Sequence, residues 1–168
     1  MFEFFVHISQ HVPFVMLISA LLLGAVMGLV ARNKLVMAGA MIKYLMLLAV
    51  GVTGLWECIL HVFFPVSSAG TLGVASGGFQ VEVALANLGL ALAGIWAFKG
   101  GFDAWVAVAI MLTCFSAGSA LVFLWHALFQ QEVATGHFFY ADILTVFVVD
   151  MLLAYYHLLC QKPSTLTE

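Results

Sequence analysis

Residues 44–64, YLMLLAVGVTGLWECILHVFF, decide the class of this chain. At about 1.5 Å of rise per residue, a helix of this length crosses the ~30 Å hydrocarbon core of a bilayer. The run is apolar except for Glu57 and His61. These two residues lie one helical turn apart and share a face, which Gly54 and Val50 continue. A carboxylate at membrane depth is costly and needs a partner or a function.

The rest of the chain fits the same reading. Of 168 residues, 65% are hydrophobic and only 8% charged, against about 25% charged in soluble domains. Strand-like alternation is absent, so the expected fold class is all-α, a polytopic membrane bundle and not a barrel. The net charge of -3 offers no basic patch for nucleic acid. Cys58, Cys114 and Cys160 stand alone, without a CxxC pair, and read as buried small apolar residues. The leading MFEFFVHISQH has no Lys or Arg and does not resemble a cleavable signal.

Working outward from the central run, five spans emerge: about 13–31, 35–64, 79–98, 104–130 and 138–160. Pro13 suits a first helical turn, and Pro65 stops the second span. The loop VSSAGTLGVASGG then separates the second and third spans. Residues 1–12 are expected to form an interfacial amphipathic segment, 13–160 the five-helix bundle, and 161–168 a disordered cytoplasmic tail. With the N-terminus outside, all five basic residues (Arg32, Lys34, Lys43, Lys99 and Lys162) fall on the cytoplasmic side. The opposite orientation would place all of them outside, against the positive-inside rule. The lipid bilayer is the first expected partner. Gly24 and Gly28 form a small-xxx-small pair, which serves either packing within the monomer or a homodimer contact.

This topology brings polar residues to one level. Glu57 and His61 approach the outer end of the second span, Glu82 and Asp142 begin the third and fifth, and His126 nears the end of the fourth. The small residues Ala86, Gly89 and Ala93 follow Glu82 along its face and predict that it points into the bundle. Carboxylates and imidazoles converging in a dry bundle repel unless protons or a cation are shared. Glu57, His61, Glu82, His126 and Asp142 are therefore candidate ligands for a divalent metal (zinc, iron, manganese or copper). Glu57-x-x-x-His61 is not the Glu-x-x-His of the di-iron carboxylate proteins.

Further polar groups extend the pattern. His7 and His11 lie either on an interfacial helix or on a lid that adds ligands. Asp142, Asp150 and His157 fall in a sector of about 80° on the fifth helix. That stripe is either a proton relay or, through Asp150, half of an ion pair with Lys43.

The stretch GGFQVEVALANLGLALAGIWAF resembles a family of small bacterial multi-span membrane proteins of unknown function. Their recurrent pattern is Phe-Gln-x-Glu-Val-Gly-x-Ala-Asn-Leu-Gly. Here Phe79, Gln80, Glu82, Val83, Ala86, Asn87, Leu88 and Gly89 match, and Ala84 stands where Gly is usual. The resemblance implies a multi-span bundle in the inner membrane. It gives weight to Glu82, Asn87, His126 and Asp142, with Asn87 expected to support the metal ligands by hydrogen bonding. It implies no activity. A metal-dependent membrane enzyme, a cation- or proton-coupled transporter, and a haem protein with His61 and His126 as axial ligands remain open.

The charge pattern gives a direct test of orientation. In a chain whose three native cysteines are replaced, a cysteine at Ser67 is expected to react with an impermeant maleimide added to intact cells. One at Ser164 is expected to stay unlabelled until the cells are opened. The reverse result inverts the topology.

Overall fold

The computed structural model describes residues 11–65, 77–129 and 137–161. They form five helices: α1 (Val12–Ala31), α2 (Lys34–Phe63), α3 (Phe79–Ala97), α4 (Phe102–Phe129) and α5 (His137–Gln161). All five are long and apolar enough to cross a membrane, and the described residues contain no strand. The helix ends fall within about two residues of those expected. The tail and most of the N-terminal segment, including His7, lie outside the described residues.

The turn between α1 and α2 is tight because two residues close both helix ends. Arg32 adopts a left-handed φ of 49°, and its N–H donates to the Leu29 carbonyl at 3.3 Å. The N–H of Asn33 reaches the Gly28 carbonyl at 3.4 Å. Asn33 then caps α2, its side-chain oxygen accepting from the N–H groups of Leu35 (2.8 Å) and Val36 (3.3 Å). Two carbonyls at the end of α1 and two N–H groups at the start of α2 are thereby satisfied within a two-residue connection.

Helix α2 is the hub and touches all four other helices. It is also the most buried span. Its middle, Leu45–Val52, is a π-helix flanked by α-helical halves. The Thr53 N–H reaches back five residues to the Leu48 carbonyl, to which its hydroxyl also donates at 3.3 Å. Such widened turns add residues without adding a full turn, so the two halves of α2 are out of phase. Lys43 and Glu57 therefore cannot be placed on one face by counting 100° per residue.

The widened segment packs on α3 at backbone distance. A Cβ built on Gly94 would lie 2.6 Å from the Met46 carbonyl oxygen, and one on Gly54 would lie 2.9 Å from that of Asn87. Only glycine admits so close an approach. The core beside this contact contains Leu17, Ile42, Leu45, Met46, Trp105 and Val149.

Of the two uses open to the Gly24/Gly28 pair, packing within the monomer is the one seen: the pair lies against α2 of the same chain, where added Cβ atoms would strike Met41 and Met37. One expectation is corrected here. Cys114 and Cys160 are exposed on the bundle surface, and Cys58 is half-buried. Small apolar residues lose nothing by facing lipid, so apolar character alone does not imply burial in a membrane bundle.

Gly94→Val is expected to lower stability by about 1–3 kcal/mol, through overpacking against an immobile carbonyl. Gly89, whose added Cβ would meet nothing within 4 Å, should tolerate alanine without loss. Unfolding in mixed micelles, followed by tryptophan fluorescence, compares the two variants.

Candidate functional site

Polar side chains gather at the end of the bundle where α2 stops and α3 begins. Gly54 lets α3 approach α2 closely, which brings Asn87 to the face of α2 one turn before Glu57. Helix α5 enters from this end with Asp142 in its second turn, and α4 brings Ser116. Glu57, Asn87, Ser116 and Asp142 line one small cavity of about 20 Å³, walled by Val50, Leu90, Leu112 and Phe115. A cavity of this size holds one water-sized particle.

Glu57 and Asp142 face this space from two different helices. Glu57 as a residue is half-buried, but its Oε1 is sealed from solvent and accepts no hydrogen bond from the described residues. Asn87 is buried at 3% exposure and Ser116 at 8%. Two carboxylates against apolar walls are costly unless a proton or a cation lies between them.

His61 has a separate role. It is buried toward the end of α2, and its Nδ1–H donates to the side-chain oxygen of Gln80, which is 1% exposed in the first turn of α3. The pair ties the last turn of α2 to the first turn of α3 and spends one imidazole nitrogen in doing so.

Glu82 departs from expectation. It is exposed, together with Ala86 and Gly89. Helix α3 carries two stripes of small residues, and the buried one is Ala84, Ala91 and Gly94, aligned with Gln80 and Asn87. The packing face is therefore turned away from Glu82. Ala84, where the resembling pattern has Gly, is fully buried on that face.

His126 lies in α4 near this same end, but its side chain is outside the described residues. Among the described residues no group of three or more His, Cys, Asp or Glu side chains is arranged to hold a metal. His11 is exposed and directly precedes α1.

The α5 stripe is not joined into one chain of hydrogen bonds by the contacts described. Asp150 is exposed and accepts from the Thr113 hydroxyl at 3.2 Å, a bond to α4. His157 stacks on Phe102 at 5.6 Å between ring centroids and hydrogen-bonds Gln161 at 2.7 Å. No ion pair joins Asp150 to Lys43, so that expected pairing is replaced by the Thr113 bond.

A family model of unknown function, DUF6790, matches residues 10–162, which contain all five helices and every residue of the cavity. The chain belongs to this family. No curated protein and no solved structure matches it. The match agrees with the resemblance to an uncharacterised family and brings no activity with it.

Sequence reading singled out Glu57, Asp142 and Asn87, which line the cavity, but not Ser116 or the pairing of Gln80 with His61. Ser116 sits in FSAGSA, a small polar run inside an apolar span, and that run was the available signal. Gln80→Leu removes the acceptor of a buried imidazole N–H and is expected to cost about 1–3 kcal/mol. Glu82→Gln, on the exposed face, should change stability by less than about 0.5 kcal/mol. Unfolding of both variants in mixed micelles measures the contrast.

Proposed function

We propose that this protein is a multi-pass bacterial inner-membrane protein that binds one small cation between Glu57 and Asp142, and that it serves transport and not catalysis. The supporting observation is the small cavity of about 20 Å³ lined by a carboxylate from each of two helices, together with a buried Glu57 oxygen that accepts no hydrogen bond from the described residues. An organic substrate needs a pocket of some hundreds of Å³. A proton carried with one water, or a bare ion, is what this space admits. The positive-inside pattern turns this end of the bundle toward the periplasm.

A resident metal is the second reading, and the donor set bears on which metal. Glu57, Asp142, Asn87 and Ser116 all offer oxygen. Oxygen donors suit hard cations, so manganese is favoured among the four metals considered, over zinc, iron and copper. Haem finds less support, because the cavity of about 20 Å³ between Glu57 and Asp142 has no room for a porphyrin, and haem iron needs no acidic lining.

Two measurements test this reading. In sealed vesicles, the wild-type protein is expected to pass protons or a monovalent cation down an imposed gradient, and Glu57→Gln and Asp142→Asn each to abolish the flux. In detergent, a bound divalent ion should raise the melting temperature, with about 2.7 kcal/mol gained at 100 times its dissociation constant. Glu57→Gln should erase that shift. Flux no faster than in protein-free vesicles, together with melting indifferent to every cation tried, would overturn the proposal.

A further inference from the structure

The opposite end of the bundle carries a second, larger recess. Tyr44 on α2 meets Phe98 just beyond α3, with ring centroids 5.9 Å apart. Helix α3 thus stops at the level of Tyr44, while α2 extends ten residues further, from Lys34 to Lys43, or roughly 15 Å. The side of α2 left bare by the short α3 is flanked by Met27 of α1, Trp105 of α4 and Tyr156 of α5. The result is an open cleft of about 430 Å³.

The chemistry of its walls is one-sided. Apart from Lys43, the lining is apolar or aromatic, and no acidic residue contributes to it. The aromatic wall is fixed by its own contacts. Trp105 donates its Nε1–H to the Ala97 carbonyl at 3.0 Å and meets the Tyr156 ring edge-on at 5.5 Å. Lys43 is exposed and forms no ion pair among the described residues. Arg32, Lys34 and Lys99 stand at the same end of the bundle, with Asp103 in the first turn of α4 as a single acidic residue among the described ones there. An ammonium group beside an apolar wall at the membrane boundary matches an anion that is itself attached to something apolar.

We propose that this cleft is a binding site for an anionic phospholipid, with the phosphate on Lys43 and the glycerol and upper acyl chain along the aromatic wall. The volume suits a small amphiphile. Basic recesses between transmembrane helices on the cytoplasmic side are where anionic headgroups are held. The site is independent of the carboxylate cavity and stands or falls separately from it.

The test is native mass spectrometry of the full chain after exchange into micelles containing either phosphatidylglycerol or phosphatidylcholine. The wild-type protein is expected to retain one phosphatidylglycerol and to retain phosphatidylcholine at least tenfold less. Lys43→Gln should lose that retention at least tenfold, and Lys43→Arg should keep it. Arg32→Gln, on the turn outside the cleft, should behave as wild type. Ala40→Phe fills the cleft while sparing Lys43, and should also expel the lipid. This second variant decides the matter if Lys43→Gln fails to fold. Equal retention of the two lipids, retention by the filled cleft, or an equal loss in Arg32→Gln would overturn the proposal. Displacement by millimolar inorganic phosphate would overturn it as well, because Lys43 would then hold a free anion.

Discussion

The close approach of α2 and α3 is the constraint on which the rest depends. Gly54 and Gly94 let the two backbones meet at distances no side chain permits. Lipid tails are as apolar as leucine, so helices in a bilayer associate by packing and polar contacts, not by expelling water. Contact at backbone distance gains most from packing, and it fixes the face of α3. That face sets Asn87 at the cavity and Gln80 on His61, and it turns Glu82 outward. Helix α4, α5 and α1 then close around α2.

The division of polar groups follows from this arrangement. Carboxylates and a histidine occupy the interior at the α2–α3 end, and the lysines and arginine lie at the other. Among the described residues, Glu57 and Asp142 form no ion pair with Lys43, Lys34, Lys99 or Arg32. That separation is what motivates both proposals: a small cation for the carboxylates and an anionic headgroup for the lysine cleft.

Much of the fold was legible because membrane thickness constrains it. Runs near 20 apolar residues, Pro65 as a stop and the Gly/Ser loop placed all five helices to within about two residues. The site was legible only in part. Glu57 and Asp142 were found because charge at depth is rare, and depth follows from topology. Helix facing does not. Glu82 was misjudged because α3 has two stripes of small residues, and only contact with Gly54 and Gly51 selects one of them. The phase between Lys43 and Glu57 was not legible either, because no residue type announces a π-helix. Ser116 escaped notice because a hydroxyl in an apolar helix usually bonds its own backbone.

The π segment has a consequence for how this chain can vary. Across a regular helix, every residue inherits its angular position from the first turn, so one inserted residue rotates everything beyond it by about 100°. Leu45–Val52 is where such an extra residue can be absorbed, because a widened turn takes it up locally and the faces on either side keep their neighbours. The end that builds the cavity and the end that borders the cleft thus share one shaft whose length can change at a single place.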